Sequence, residues 1–388
     1  MTDPTTPSQF SLNEEQRAIR DMARDFADRN IAPFALRWDE EKHFPVEVVR
    51  EAATLGMASI YVRADSGGSG LSRLDAALIF EALSTGCPST AAYLSIHNMV
   101  SWMIDRFGDD EQRRIWLPKL CPAEWLSSYC LTEPSCGSDA AALSTTARHD
   151  GGDYVLNGVK QFISGAGATD VYIVMARTGG PGSSGVSAFI LDRETRGLSF
   201  GPNERKMGWN TQPTRQVILE DARIPAANLL GEEGQGFKIA MAGLDGGRLN
   251  IGACSLGGAS AALEKSLSYM RDRKAFGKRL DEFQALQFRL ADMAIELEAA
   301  RTFLWRAASA LDNHDPQATQ FCAMAKRFAT DTGFEVTNQA LQLHGGYGYL
   351  SDYGIEKIVR DLRVHQILEG TNEIMRLIVA RGLTDAAR

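Results

Sequence analysis

The spacing of apolar residues changes twice along the chain, and the two changes divide the sequence into three zones. In residues 1–125 apolar side chains recur every three or four positions, as on one face of a helix. Residues 126–235 hold short runs of β-branched and aromatic residues between Gly, Pro and Asn, which is typical of antiparallel strands. Helical spacing returns in residues 236–388. We therefore predict an α+β multidomain protein with an N-terminal α-helical domain, a middle antiparallel β domain and a C-terminal α-helical bundle.

Local patterns predict several helices within the two outer zones. Residues 11–14 read Ser-Leu-Asn-Glu, which resembles a capping box and predicts that a helix begins there. Two more helices are predicted at about 316–343 and about 371–383. A further helix is predicted from an apolar stripe whose members are Leu286, Leu290, Met293 and Leu297.

Composition excludes several classes of protein. The chain of 388 residues has a formal net charge of −8, whereas nucleic-acid binders and proteins of anionic membrane surfaces usually present a basic face. No apolar run approaches the ~20 residues that a membrane-spanning helix needs. We therefore expect neither a nucleic-acid partner nor a membrane partner.

The six cysteines form no C-x-x-C pair and have no histidines at zinc-ligand spacing, so we expect no metal site. We interpret them as small apolar residues in a reducing compartment. The N-terminal sequence lacks a basic region followed by an apolar stretch. We therefore expect a cytoplasmic protein, or a mitochondrial matrix protein if this is the mature form of a eukaryotic chain.

Two glycine motifs match known signatures but lack the sequence context that those signatures require. Residues 180–185 match G-x-G-x-x-G, yet a strand-like run follows where a dinucleotide fingerprint needs a helix. Residues 197–201 match G-x-S-x-G, again with no helical pattern behind them. The sequence therefore favours neither a Rossmann dehydrogenase nor a serine hydrolase.

Four stretches combine residue types that suit a polar ligand. Residues 129–139 hold hydroxyls around a proline turn, and residues 160–167 place an aromatic and a hydroxyl before a glycine-rich turn. Residues 271–279 form a basic cluster that suits a diphosphate, and residues 342–376 combine a glycine loop with Glu369 at a helix start. Each stretch alone also fits a plainer structure: a loop, a strand end with a core Phe, a solvated helix face, or a carboxylate that complements a helix dipole.

Together these stretches resemble the acyl-CoA dehydrogenase family over nearly the whole chain. YCLTEPSCGSD, the FIS of KQFISGAG, RKAFG, HGGYGY and ILEGTNEIMR occur in that family's order and spacing. LSIHNM, GWNTQPTR, GGRLNIG and RVHQILEG are similar to the branch whose substrate is isobutyryl-CoA. Many relatives carry Trp and Thr where this chain has Phe162 and Ser164, a change that keeps an aromatic plane and a hydroxyl.

The resemblance implies an FAD-dependent enzyme that oxidises the Cα–Cβ bond of an acyl-CoA thioester. The implied reaction converts isobutyryl-CoA to methacrylyl-CoA in valine degradation. Glu369 is implied as the base that removes the α-proton, and its backbone N–H as one hydrogen-bond donor to the thioester carbonyl. Isovaleryl-type relatives carry the base near residue 247, where this chain has Gly247, and this difference leaves Glu369 as the candidate.

The resemblance also assigns the two ligands to particular residues. The implied FAD-binding residues are Tyr129, Leu131, Thr132, Gly137, Ser138, Phe162, Ile163, Ser164, Arg273, Phe276, Phe283, Gln284, Gln342, Leu343, His344, Gly345, Gly346, Thr371, Asn372 and Glu373. The implied acyl-CoA-binding residues are Ser138, Asp245, Gly246, Gly247, Arg248, Glu369, Gly370 and Arg381.

The resemblance further implies two kinds of protein partner. In relatives, the counterparts of Arg273 and of residues 342–346 reach the flavin of a neighbouring subunit, so we expect a homotetramer built as a dimer of dimers. Electron-transferring flavoprotein is the implied electron acceptor.

Three alternatives remain open from the sequence. The substrate could be another short acyl-CoA, such as 2-methylbutyryl- or n-butyryl-CoA, because one methylene supplies only ~1–3 kcal/mol of discrimination. The chain could be an acyl-CoA oxidase, although oxidases of this kind are usually much longer. It could also be a non-catalytic acyl-CoA-binding protein, but the presence of Glu369 and Arg273 argues against that reading.

Overall fold

The structure is a computed structural model that describes residues 12–385. Its contacts form two compact units, each built from segments that lie far apart in the sequence. Within the described residues, the helical unit comprises residues 12–41, 72–92 and 248–385. The sheet unit comprises residues 42–71 and residues 93–247. The domain boundaries drawn from the three sequence zones stay predictions.

The helices occupy the two outer zones of the sequence, as predicted. They are α1 Glu14–Phe26, α2 Ala35–Glu41, α3 Val46–Thr54, α4 Arg73–Ser84, α5 Pro88–Phe107, α6 Asp110–Leu120, α7 Gly236–Asp272, α8 Gln284–Asp312, α9 Ala318–Leu343, α10 Ile355–Arg363 and α11 Asn372–Asp385. The two helices predicted near 316–343 and 371–383 are observed as α9 and α11.

The start of α1 differs by two residues from the predicted capping box. Asn13, rather than Ser11, is the N-cap: its Oδ1 accepts a hydrogen bond from the Gln16 N–H at 2.8 Å. The Gln16 Oε1 accepts one from the Asn13 N–H at 3.1 Å, which completes a capping box. Ser11 itself lies outside the described residues.

The middle zone forms a sheet with the strand order β6-β7-β3-β2-β4-β5-β8, and β1 pairs with β4 beside this path. The strands are β1 Ser127–Cys130, β2 Thr146–Asp150, β3 Asp153–Ser164, β4 Val171–Arg177, β5 Val186–Asp192, β6 Leu198–Phe200, β7 Thr214–Pro225 and β8 Leu229–Leu230.

The pairing of these strands is mostly antiparallel, as predicted, with two exceptions. β1 runs parallel to β4, and β2 meets β4 in parallel at a single register pair. The chain between β1 and β4 passes through β2 and β3, so it has the long connection that parallel neighbours need. An alternating sequence pattern carries no information on strand direction, which explains the difference.

β4 lies between two hydrophobic cores of the sheet unit, because successive side chains of a strand point to opposite faces. On one face, Val171, Ile173 and Met175 pack in a core that includes Val100 of α5 and Leu117 of α6. The opposite face presents Tyr172, Val174 and Ala176 to a second core with Phe189 and Leu219. Of the two glycine motifs, residues 180–185 link β4 to β5, and residues 197–201 contain the short strand β6.

The turn after β3 leaves no room for a side chain at Gly165, where φ is +80°. A Cβ there would lie 2.6 Å from the Thr169 Cγ2 and 2.8 Å from the Tyr93 ring. At Gly151, where φ is +67°, a Cβ would meet no described atom within 4 Å. The two glycines therefore share a left-handed backbone and differ in the space around them.

We predict that Gly151→Ala costs ~1–2 kcal/mol of unfolding free energy, from backbone strain alone. Gly165→Ala is expected to cost ~1–3 kcal/mol more, because its methyl group also overpacks the turn. Urea unfolding of the two variants compares them directly. Equal unfolding midpoints would show that the Gly165 turn is loosely packed.

Candidate active site

Glu369 lies on a strained turn just before α11. Its φ is +57°, and the φ of the following Gly370 is +89°, so two successive residues have left-handed backbone conformations. For a non-glycine residue such a conformation costs ~1–3 kcal/mol and persists only when the surroundings enforce it. The resemblance singled out Glu369 from sequence, and the structure places it at this unusual backbone position.

Side chains of α7 and α9 hold the turn in place. The Arg248 Nε donates a hydrogen bond to the Glu369 carbonyl at 3.3 Å. The Lys326 Nζ donates to the Gly370 carbonyl at 2.8 Å and to the Asn372 Oδ1 at 2.9 Å. The predicted ligand residues Arg248, Glu369, Gly370 and Asn372 are therefore brought together within the helical unit.

One oxygen of the Glu369 carboxylate, Oε2, is buried without a hydrogen-bonding partner among the described residues. Burial raises the pKa of Glu369 to about 7, against the opposing influence of the charges on Arg248 and Lys326. A carboxyl group with this pKa is well matched to proton abstraction near neutral pH.

Glu373, four residues further on, has the opposite environment. Its side chain is 81% exposed, and hydrogen bonds from its own backbone N–H and from the Thr371 hydroxyl lower the pKa of Glu373. Glu373 therefore remains ionised and solvated, which favours Glu369 as the base of this segment.

A second group of predicted residues surrounds a cavity of about 490 Å³ in the helical unit. The cavity lies where α7 ends and where the 3₁₀ turn Gly345–Tyr349 follows α9. Predicted FAD residues that line it are Arg273, Gln342, Leu343, His344, Gly345 and Gly346. Phe283 and Gln284 stand at the start of α8, whose Leu286 is also part of the lining.

The cavity is lined by a cationic side chain, by aromatic rings and by glycines with free space beside the backbone. The Arg273 guanidinium lies 5.3 Å from the centroid of the Tyr347 ring, and Tyr269 stacks on His344 with centroids 4.5 Å apart. A Cβ added at Gly345 or Gly346 would meet no described atom within 4 Å. These features fit the diphosphate and a flat ring of FAD, because guanidinium binds phosphate through paired hydrogen bonds.

In the sheet unit a buried ion pair fixes the first predicted FAD segment. The Lys160 Nζ lies 2.7 Å from the Glu133 Oε1 and donates to the Leu131 carbonyl at 3.2 Å. Burial opposes ionisation of Glu133, but the Lys160 charge and hydrogen bonds outweigh it and hold the pKa of Glu133 at about 2. The Gln161 N–H donates to the Thr132 carbonyl at 2.8 Å, which joins this segment to β3.

Phe162 lies outside the core that a strand-end phenylalanine would be expected to fill. The side chain is 64% exposed and φ is +60°, at a bulge of β3, whereas the next residue, Ile163, is buried. The Ser164 carbonyl accepts a hydrogen bond from the Ser128 Oγ at 2.6 Å. The bulge therefore turns an aromatic ring outward, where a flat ligand could stack on it.

The remaining predicted residues are distributed over both units. Gly137, Ser138, Phe276 and Arg381 are exposed, and Tyr129 is half-buried on β1. The Thr371 Oγ1 accepts a hydrogen bond from the Ile374 N–H at 3.3 Å. Asp245, Gly246 and Gly247 belong to the first part of α7, within the sheet unit.

Sequence reasoning missed Lys326, which anchors the turn of Glu369. Its signal is a lysine in register with the buried face of α9, between Cys322 and Ala329. It also missed the short hairpin formed by β9 Lys274–Ala275 and β10 Lys278–Arg279, which follows α7 within the basic cluster. Positive φ values at Phe276 and Gly277 suit such a tight turn.

Between residues 12 and 385 no group of three or more His, Cys, Asp or Glu side chains is arranged to hold a metal ion. None of the described helices has the length and apolar character needed to cross a membrane. All six cysteines are buried and none is in a disulfide.

Comparison with known families covers most of the chain. Residues 13–124 match the acyl-CoA dehydrogenase N-terminal domain, and residues 128–222 match the middle domain of the same family. Residues 234–384 match the acyl-CoA dehydrogenase C-terminal domain.

Individual relatives agree with these matches. The chain is 55% identical to the mitochondrial isobutyryl-CoA dehydrogenases of Bos taurus and of Dictyostelium discoideum, in each case over 96% of this chain and 90% of the relative. The butyryl-CoA dehydrogenase structure from Megasphaera elsdenii superimposes with a TM-score of 0.94 at 38% identity, covering 97% of this chain and 99% of that one. The chain therefore belongs to the acyl-CoA dehydrogenase family of FAD-dependent oxidoreductases, which act on CH–CH bonds.

Proposed function

We propose that this acyl-CoA dehydrogenase converts isobutyryl-CoA to methacrylyl-CoA, a step of valine degradation, and that Glu369 removes the α-proton. The observation that carries the assignment of the base is the enclosed carboxylate, whose Oε2 has no hydrogen-bond donor among the described residues. The choice of substrate is supported by the 55% identity to two isobutyryl-CoA dehydrogenases and by the branch motifs.

The chemistry asked of Glu369 follows from its environment. An α-proton is only weakly acidic, so the base must be unprotonated near neutral pH and still hold a proton well after abstraction. A pKa of about 7 meets both requirements, whereas a solvated carboxylate would be too weak a base. The turn that holds Glu369 also fixes the backbone N–H which, by resemblance, donates to the thioester carbonyl and stabilises the developing enolate.

The family resemblance assigns residues of each unit to parts of the cofactor. Arg273 and the segment 342–346 are assigned to the diphosphate and adenosine part, and Thr132, Phe162 and Ser164 to the flavin ring. When bound, FAD accepts the β-hydrogen of the substrate as hydride. Ser138, Asp245, Arg248 and Arg381 are assigned to the CoA part of the substrate.

The proposal includes two kinds of protein partner. By family resemblance, electron-transferring flavoprotein takes the electrons from the reduced enzyme, and the chain forms a homotetramer arranged as a dimer of dimers. Arg273 and the cavity-lining loop then contribute to the flavin site of a neighbouring subunit.

We predict that Glu369→Gln retains FAD and acyl-CoA binding but reduces the flavin at least ~10²–10⁴-fold more slowly with substrate, because an amide cannot accept the α-proton. Anaerobic stopped-flow bleaching of the flavin measures this rate. Glu335→Gln, which changes an exposed carboxylate of α9, is the matched control and should bleach normally. Near-normal bleaching in Glu369→Gln would assign the base to another carboxylate.

We predict that Arg273→Ala weakens FAD retention ~10- to 100-fold, because it removes charge-assisted hydrogen bonds to the diphosphate. Flavin absorbance after exhaustive dialysis measures the effect, and sedimentation reports whether the oligomer weakens with it. Arg279→Ala is the control, since Arg279 belongs to the same basic cluster but pairs with Asp281 at 3.0 Å. Equal flavin content in both variants would show that Arg273 is a solvated surface residue and does not bind FAD.

The substrate assignment predicts graded selectivity for short branched acyl chains. The measurement is kcat/KM with a dye acceptor for isobutyryl-, 2-methylbutyryl-, n-propionyl-, n-butyryl-, isovaleryl- and n-octanoyl-CoA. Isobutyryl-CoA should rank first, with overlapping activity on 2-methylbutyryl- and n-propionyl-CoA, since one methylene supplies only ~1–3 kcal/mol. A preference of about tenfold or more for n-butyryl- or n-octanoyl-CoA would overturn the substrate and leave Glu369 as the base.

A further inference from the structure

A lysine is completely buried directly behind the turn that carries Glu369. Lys326 on α9 has 0% exposure, and its Nζ reaches the Gly370 carbonyl at 2.8 Å and the Asn372 Oδ1 at 2.9 Å. Burying an ammonium group costs several kcal/mol unless its hydrogen bonds and nearby charges compensate. We therefore ask which part of the structure the buried Lys326 stabilises.

The hydrogen bonds around Lys326 bind both sides of the turn to α9. After Glu369, the Asn372 Nδ2 donates to the Asp331 Oδ1 at 2.6 Å and to the Thr330 Oγ1 at 3.0 Å. Before Glu369, the Gln366 Nε2 donates to the same Asp331 Oδ1 at 2.9 Å. One stretch of α9 thus fixes the chain on either side of the left-handed pair.

We propose that Lys326 is a positioning residue for the reaction: it holds the Glu369 turn in its left-handed conformation, and its charge favours the ionised form of the Glu369 carboxylate. This inference rests on the proposed role of Glu369 as the base. Lys326 acts through Glu369 and contacts neither substrate nor cofactor in this role.

The charged groups near Lys326 come from four parts of the helical unit. They are Arg248 on α7, Asp331 on α9, Glu373 on α11 and Glu369 on the turn. Burial lowers the pKa of Lys326 to about 7, with the Glu369 charge opposing that shift and the Arg248 charge adding to it. Close by, burial and the Lys326 charge lower the pKa of His365 to about 3, so this histidine stays neutral at neutral pH.

The sign of the effect follows from these charges. Lys326 is one of the two cations that lower the pKa of Glu369. If its charge is removed, the pKa of Glu369 rises above 7, and a larger share of the enzyme carries a protonated, inactive base at pH 7. Activity should then recover as the pH is raised, which a merely structural lysine would not produce.

The test compares Lys326→Met, Lys326→Gln and Lys326→Arg in the holoenzyme. Infrared difference spectroscopy follows protonation of the Glu369 carboxyl with pH in the absence of substrate, and the band is identified by its loss in Glu369→Gln. We expect the midpoint to rise by about one pH unit in the Met and Gln variants and to return toward the original value in the Arg variant. The pH profile of anaerobic flavin reduction should move by the same amount.

Lys357→Met is the matched control, because Lys357 is also buried in the helical unit but pairs with Asp361 at 2.6 Å. It should lower thermal stability without moving the Glu369 midpoint. An unmoved midpoint in Lys326→Gln, or an equal shift in Lys357→Met, would overturn the proposal. Normal flavin bleaching in Glu369→Gln would instead overturn the proposed function, so the two failures are distinguishable. If Lys326→Met does not fold, the Gln and Arg variants decide the question.

Discussion

The carboxylate of Glu369 lies on a left-handed turn, and hydrogen bonds from two neighbouring helices of the helical unit hold this turn in place. The Glu369 Oε2 is buried without a donor among the described residues, and the backbone strain at Glu369 adds ~1–3 kcal/mol to the cost of the turn. Arg248 from α7 and Lys326 from α9 offset this cost by hydrogen bonds to two successive carbonyls. Burial raises the pKa of Glu369 to about 7, and the charges of Arg248 and Lys326 oppose that shift.

Both units use a buried lysine to fix a segment that is assigned to ligand binding. Lys160 donates to the Leu131 carbonyl in the sheet unit, and Lys326 donates to the Gly370 carbonyl in the helical unit. Their electrostatic settings differ, because Lys160 forms a direct ion pair with Glu133 at 2.7 Å whereas Lys326 bonds neutral oxygens of Gly370 and Asn372. The charge of Lys160 is therefore balanced by Glu133, whereas the charge of Lys326 is not balanced by a direct ion pair among the described residues and can act on Glu369.

Sequence patterns were sufficient for the long helices, but not for features that depend on register or direction, and the role of Glu369 stays a prediction from the family resemblance. Helix α9 was predicted to within two residues because its apolar period is long and regular. The outward turn of Phe162 depends on the bulge between Lys160 and Ile163, which reverses the facing of side chains by one residue. The parallel pairing of β1 with β4 leaves no trace in an alternating pattern. Lys326 was missed because a lysine within a helix is normally expected to be exposed to solvent.

The most direct measurement of the central claim is α-proton exchange of acetyl-CoA in D₂O, followed by NMR. Acetyl-CoA has α-hydrogens but no β-carbon, so exchange reports the base without any oxidation. We expect wild-type protein to exchange these hydrogens at a rate that rises through about pH 7, as Glu369 loses its proton, and Glu369→Gln to be slower by at least ~10²-fold. Exchange that is independent of pH across this range, or equal in the two proteins, would contradict the role of Glu369.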